Sequence, residues 1–294
     1  MHRADSRLLT RSPSVSTGRM VAAMYETFFQ MEHTPFSRNT PVADLYESPA
    51  MADTLGRLAY AADRQLFAVV TADAGCGKST LIRRFVTSLP KEEYLFLYLS
   101  DSKLTPRWFY KGMLDQLGIE SKFYRGDAKR QLQKEVEIIR GVQKKKVVCI
   151  LDEAHLLEKE TIEEFRFLLN YRFDSISPMA LVLVGQTELW DKLRMQRYAA
   201  VRQRIDINCV LPHLDRAETE RYIQSHLAYA GGRQDIFTDK ALDDIYKEST
   251  GIPRRINRIC EKSLMYASQQ GKRLIDEHLV HYIIEHEMLG GDTR

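Results

Sequence analysis

The sequence predicts an α/β fold on a parallel sheet, followed by a smaller unit of helices alone, and three observations carry that prediction. Residues 68–82 (AVVTADAGCGKSTLI) read as a short apolar strand, a glycine-containing loop and the start of a helix. Residues 147–153 (VVCILDE) read as a buried strand that stops abruptly in two acids. From Pro212 onward the strand-like runs cease and only helical periodicity remains. Apolar strands separated by amphipathic helices are the pattern of a sheet covered on both faces, where strands lose the alternation of a half-exposed sheet.

A chain of 294 residues with a formal charge of +3 has the length for one large or two modest domains and too little net charge to argue a nucleic-acid partner from the total. The four cysteines (Cys76, Cys149, Cys209, Cys260) lack metal-ligand spacing and read as reduced thiols of a cytoplasmic protein. No apolar run approaches the length that spans a bilayer, so no membrane association is expected. Residues 1–23 are rich in Arg and Ser without the apolar core of a secretory signal, and are expected to be a disordered tail.

Residues 24–49 interleave Tyr25, Phe28, Phe29, Phe36 and Tyr46 with Pro35 and Pro41, which disfavour a long helix. An irregular arm packed over the core is expected, its aromatics serving for packing, with Phe36 or Tyr46 as the alternative contact for a nucleobase. Residues 50–64 carry Leu55, Leu58, Ala59 and Ala62 at helical spacing and lead into the first strand. The loop after that strand turns backbone N–H groups inward and aims a helix N-terminus at its contents, which suits polyanionic phosphate. It therefore reads as a P-loop, or Walker A motif. Asp73, Ala74, Gly75, Cys76, Gly77, Lys78, Ser79 and Thr80 form the cradle, Lys78 reaching the β- and γ-phosphates and the Ser79 hydroxyl joining a Mg²⁺ shell. Ala72 stands where the pattern opens with Gly, and binding is expected to survive that change.

Tyr94–Leu99 is apolar throughout and reads as a second strand. Thr105-Pro106 is an N-cap and first-turn pair for a helix through Tyr110, Met113, Leu114 and Leu117. Residues 128–142 form a second amphipathic helix, and Lys144–Lys146 read as a solvated turn. The strand ending in Asp152-Glu153, a Walker B pattern, places both carboxylates at the C-terminal edge of the sheet, where open α/β sheets bind ligands. Asp152 is expected to hold Mg²⁺ and Glu153 to polarise the attacking water. His155 reads as a plain hydrogen-bonded histidine, with a contact to Glu153 or a neighbouring subunit as the alternative. A helix over 160–173 precedes a strand over 180–184, whose end presents Gln186 as the candidate to orient the lytic water. A short helix and an arginine-rich piece (Arg194, Arg197, Arg202, Arg204) follow. In the helical part, Asp215 and Glu218 form a capping box, Thr238 caps a helix that stops at Gly251, and helices over 254–269 and 277–288 close the chain. The boundaries read as tail 1–23, core 24–211 and helical lid 212–294.

Together the P-loop strand, the Asp-Glu strand, the polar strand end, the arginine segment and the stretch Gly251-Ile-Pro-Arg254-Arg-Ile-Asn257 resemble an AAA+ ATPase of the ExeA/TnsC-like group, which includes helper ATPases of DDE transposases. The start MYETFF, VGQTEL at 184–189, QRI at 203–205 and GIPRRIN are the more specific matches, and the resemblance covers roughly residues 24–288. It implies a five-stranded core sheet with a helical lid, ATP and Mg²⁺ bound between them, and neighbouring subunits of a ring or helical filament completing each site. On that resemblance Gln186 is sensor 1 and Arg254 is sensor 2 on the γ-phosphate, with Arg255 able to trade places. Arg204, ahead of Arg202, is the finger reaching the next subunit. The resemblance further implies an ATP-dependent, DNA-binding regulator of transposition that assembles on target DNA and whose partners are a transposase and a target-selector protein. Double-stranded DNA would be bound through its backbone by Lys103, Thr105, Arg107 and Lys111. The alternative is an ExeA-type secretion-assembly ATPase. Ending at Arg294 without the membrane span and cell-wall-binding extension associated with that role, the sequence favours the first expectation.

Overall fold

The computed structural model describes residues 25–100, 104–169 and 177–288. Five parallel strands, β1 (Phe67–Thr71), β2 (Tyr94–Leu99), β3 (Lys146–Leu151), β4 (Ala180–Gly185) and β5 (Ile207–Val210), form one sheet in the order β2-β3-β4-β1-β5. Side chains on a strand point alternately to opposite faces, and each central strand uses that alternation to feed two cores. Phe67, Val69, Cys149, Leu151, Leu181 and Leu183 pack on one face. They meet α3 (Pro106–Gln116), α4 (Arg125–Gly141), α5 (Lys159–Leu169) and α6 (Glu188–Arg194). Ala68, Val70, Val148, Ile150, Val182 and Val184 pack on the other face, under α1 (Pro49–Arg64) and α2 (Lys78–Ser88). Phe85 of α2 is buried against Phe96 with ring centroids 5.7 Å apart; its truncation to Ala would cost about 3–5 kcal/mol.

The expected caps form. Thr105 accepts from the Trp108 N–H at 3.4 Å, and Thr238 from the Ala241 N–H at 3.2 Å. Asp215 and Glu218 close a reciprocal box, with bonds of 2.7 and 2.9 Å, at the head of α8 (Arg216–Tyr229). A further short turn, α7 (Ala199–Arg202), precedes β5.

Internal contacts divide the chain differently from the expected cut at residue 212. The sheet unit comprises 41–218 and also 249–255, the segment that carries Gly251-Ile-Pro-Arg. The helical unit comprises the described part of 1–40 together with 219–248 and 256–288. It contains most of α8, α9 (Asp239–Ser249) up to Glu248, the body of α10 (Pro253–Gln269) and α11 (Glu277–Ile283). The aromatic arm, expected over the sheet, is therefore built into the helical unit. The Glu32 N–H donates to the Ala230 carbonyl at 2.7 Å, His33 stacks on Tyr229, and Phe36 stacks on His226 with centroids 5.1 Å apart. Phe36 is thereby buried as a packing residue. Within the same unit the Tyr222 hydroxyl donates to Asn257 Oδ1 at 2.8 Å, and Asp276 caps α11 through the Leu279 N–H. The expected tail 1–23 lies outside the described residues.

Candidate active site

Three strand ends converge on one edge of the sheet because β4 lies between β1 and β3: the loop 72–77 leaves β1, Asp152-Glu153 leaves β3 and Gln186 leaves β4. The loop needs glycine at two places. Gly75 has φ +88° and Gly77 φ +93°, a region that L side chains seldom enter. A Cβ on Gly75 would lie 2.8 Å from Cβ of Arg254, while the Arg254 N–H donates to the Gly75 carbonyl at 3.3 Å. Ala72, by contrast, has no positive φ and is buried in the core beneath the loop, so the first position makes no demand for glycine. Its N–H donates to the Gly185 carbonyl at 3.1 Å, which ties β1 to β4 just below the site.

Lys78 is buried, and its ammonium donates to the carbonyls of Ala72 (2.9 Å) and Asp73 (3.0 Å), so its charge is held inside the curl of the loop. Gly77 occupies the N-cap of α2, and Ser79 is exposed in the first turn. A buried ammonium over a glycine-lined helix N-terminus fits phosphate oxygens, and a hydroxyl with a carboxylate fits a hard cation such as Mg²⁺. When bound, that ion would neutralise charge developing on the transferred phosphoryl. Asp73 is tied down on two sides: Oδ1 accepts from the Thr187 hydroxyl at 3.0 Å, and Oδ2 lies 2.8 Å from His213 Nε2. Hydrogen bonds from His213 and then Thr187 hold its carboxyl below the usual range. The second nitrogen of His213 meets the Thr250 carbonyl at 3.1 Å, so one ring links the loop to the 249–255 segment. Nothing local in the sequence signals that histidine.

Asp152 is buried, with Oδ2 accepting from the Tyr98 hydroxyl at 2.9 Å and Oδ1 from the Glu153 N–H at 2.8 Å. Burial first, then the bond to Asp152, pushes the Tyr98 phenol up to about 12. Glu153 sits at φ +52°, a left-handed conformation that costs a non-glycine residue roughly 1–2 kcal/mol. Such strain collects where a side chain must be aimed. Its carboxylate lies 3.5 Å from His155 Nδ1, and His155 Nε2 lies 3.1 Å from the side-chain nitrogen of Gln186.

Residues 61–193 match the AAA domain family AAA_22. An Aeromonas hydrophila protein named General secretion pathway protein A is 32% identical over 259 residues, which cover 86% of this chain and 46% of that protein. This chain therefore spans about half the length of that relative. Among solved structures, the Aeropyrum pernix ORC2 protein in its ADPNP and ADP complexes superposes with a TM-score of 0.63 at 16% identity, over 85% of this chain and 70% of that one. The Aeropyrum pernix ORC1 protein in complex with DNA gives 0.59 at 13% identity, over 83% and 66%.

The fold is AAA+, with residues 61–193 as its AAA domain. In this AAA+ core the loop, the Asp152-Glu153 pair and Gln186 lie along one edge, and Arg254 is brought against Gly75. The two finger candidates separate. The guanidinium of Arg202 donates to the carbonyls of Leu193 (3.2 Å) and Arg194, closing the C-terminus of α6, a structural task. Arg204 follows α7 and is half-buried. Of the DNA-facing set, Lys103 lies outside the described residues, and Thr105 is engaged as the α3 cap. Arg107 lies over the Phe123 ring at 4.2 Å and Lys111 over Trp108 at 4.8 Å. Among the described residues no helix is long and apolar enough to cross a membrane.

Proposed function

We propose that this chain is an ATP-driven assembly switch: it binds Mg·ATP at the β1–β3–β4 edge, oligomerises as a ring or filament, and hydrolyses ATP at subunit junctions. The observation that carries this reading is the placement on one sheet edge of a phosphate cradle with buried Lys78, an acid pair with strained Glu153, and Gln186, with Arg254 against the loop. Lys78 and the loop amides hold the phosphates, Asp152 and Ser79 hold Mg²⁺, and Glu153 takes a proton from the attacking water. Gln186 and Arg254 sense the γ-phosphate, and Arg204 of a neighbouring copy completes the site. Tyr46 remains the candidate nucleobase contact.

The 32% identity to General secretion pathway protein A supports a secretion-assembly role, in which the switch remodels an export apparatus. A second reading, a transposition regulator that assembles on target DNA and recruits a transposase and a target selector, is favoured by one feature of α3. There Arg107 and Lys111 stand beside Trp108 and Phe123, which are 51% and 68% exposed. Cations interleaved with exposed aromatic faces suit nucleic acid. Binding of a random-sequence duplex, measured by anisotropy across a salt series with and without ATP, separates the two. ATP-dependent binding that weakens with salt and is lost in Arg107→Ala/Lys111→Ala establishes the DNA reading. Absence of binding with intact ATPase activity leaves the secretion reading.

A further inference from the structure

His213 lies just beyond β5, and both of its ring nitrogens face oxygens that can only accept. Nε2 lies 2.8 Å from Asp73 Oδ2 in the phosphate loop, and Nδ1 lies 3.1 Å from the Thr250 carbonyl oxygen. A ring with a single N–H makes one of these bonds and turns a lone pair toward the other oxygen, so both form together only on the doubly protonated imidazolium. The next residue continues the join: the Leu214 N–H donates to the Gly251 carbonyl at 3.0 Å. Gly251 has φ +75°, and a Cβ on it would lie 1.9 Å from the Leu214 carbonyl oxygen, so residues 213–214 and 250–251 meet at a distance that only glycine permits.

These contacts close a circuit. From Thr250 the chain runs to Arg254, whose N–H donates to the Gly75 carbonyl at 3.3 Å, and Gly75 belongs to the same loop as Asp73, where the circuit began. The segment that carries Arg254 is thus pinned to the loop at both ends, at residue 250 through the His213 ring and at residue 254 through its own backbone. Asp73 is in turn anchored by the Thr187 hydroxyl at 3.0 Å, so His213 refers the position of Arg254 to the end of β4 as well as to the loop. Thr250 is held at φ +50°, a left-handed conformation that a non-glycine residue does not keep unassisted. Without His213 the segment retains the Leu214–Gly251 bond and the long Arg254–Gly75 bond, neither of which fixes Asp73.

We propose that His213 is a positioning residue that fixes the Arg254 segment against the phosphate loop and thereby sets the preference of the site for a nucleoside triphosphate over the diphosphate. This rests on the reading of Arg254 as the γ-phosphate sensor. Only the triphosphate has a γ-phosphate, so misplacing Arg254 weakens binding of ATP and leaves that of ADP almost untouched. Damage to the loop itself weakens both, because Lys78 and the loop amides serve the β-phosphate that ATP and ADP share.

The test uses the full chain and two probes, a non-hydrolysable ATP analogue and ADP, each titrated by calorimetry with Mg²⁺. Arg254→Ala should weaken binding of the ATP analogue by about 10- to 100-fold, the loss of hydrogen bonds to charged oxygens, and that of ADP by no more than about twofold. His213→Phe keeps a planar ring without a donor and should weaken the ATP analogue by about tenfold and ADP by no more than about twofold. His213→Gln, with one donor nitrogen in place of two, should fall between His213→Phe and wild type. The ring is 37% exposed, so there is room for His213→Arg, which offers only donors to the same two oxygens and should recover the wild-type ratio of affinities. Because His213 acts through Arg254, the double variant His213→Phe/Arg254→Ala should lose no more than Arg254→Ala alone. An unchanged ratio in His213→Phe and His213→Gln, equal weakening of both nucleotides, losses that multiply in the double variant, or a His213→Arg no better than His213→Phe would overturn the proposal. A wild-type ratio in Arg254→Ala would instead overturn the reading beneath it.

Discussion

The strand-end edge of the sheet unit and the interior of the helical unit treat polar groups in opposite ways. At the edge the buried or tethered charged groups have defined partners: Asp152 accepts from Tyr98 and from the Glu153 N–H, Asp73 from Thr187 with His213 beside it, and Lys78 donates to two carbonyls. Backbone strain is tolerated there, at Glu153 and at Thr250 (φ +50°). In the helical unit, the interior encloses polar atoms that have no hydrogen-bond partner among the described residues: the Tyr25 hydroxyl, Thr219 Oγ1, both nitrogens of His226 and Ser263 Oγ. Partnered polar groups at a strained edge are what a reaction requires, whereas unpartnered ones in a helical interior only subtract from stability. Substitutions should therefore cost function at the edge and gain stability in the helical interior.

The largest effects are expected at the edge. Lys78→Ala should weaken binding of a fluorescent ATP analogue by about a hundredfold, the loss of hydrogen bonds to charged oxygens. Glu153→Gln should retain binding while losing about 10²–10⁴-fold in hydrolysis, measured by phosphate release. Equal affinity in Lys78→Ala and the parent would remove the edge from one side of the contrast. Arg204→Ala should lose hydrolysis while retaining affinity, and light scattering should show that ATP still drives assembly. Full activity in a strictly monomeric sample would contradict a finger acting between copies.

Gly75→Ala comes next, since the left-handed backbone alone costs roughly 1–2 kcal/mol and the added methyl must displace Arg254. It should lower both stability and nucleotide affinity; a fully active, equally stable variant would mean that loop and Arg254 fit loosely.

His226 sharpens the other side. Burial between Phe36 and Tyr222 lowers its pKa from 6.5 to about 4. The unfolded chain therefore takes up a proton first as pH falls, so this contribution to stability is complete above about pH 6.5 and is lost progressively down to pH 4. The amount is about 3 kcal/mol. Urea unfolding at pH 7 and pH 5 should show the loss, and His226→Phe should flatten that part of the profile. The smallest expected change is a gain: Ser263→Ala removes a buried unpartnered hydroxyl from α10 and should raise stability by about 1 kcal/mol in the same assay.

What was legible in the sequence is what is encoded locally. The strand–loop–helix at 68–82, the Asp-Glu strand end, the Asp215/Glu218 box and the Thr105 and Thr238 caps each depend on residues a few positions apart. The fifth strand, Ile207–Val210, was not legible as a strand, because an edge strand with one fully buried residue lacks the apolar run of its neighbours. Nor could spacing reveal that Arg202 closes α6, that His213 reaches the loop, or that the aromatic arm belongs with the helical unit. The last is a choice between two apolar surfaces to which composition is blind. The neighbours of His155 were hidden for the same reason: only the pairing of β3 with β4 brings Glu153 and Gln186 to the same ring.

The partners of the phosphate loop set a timetable for synthesis. Asp73 waits for Thr187, 114 positions later, and then for His213, 140 positions later, and the Gly75 carbonyl receives its donor only when Arg254 emerges. A ribosome that has made the first two strands has exposed a loop whose restraints do not yet exist. Chains released before Arg254 should therefore sediment with chaperones rather than with nucleotide resin, whereas those extended through α11 should be retained on it.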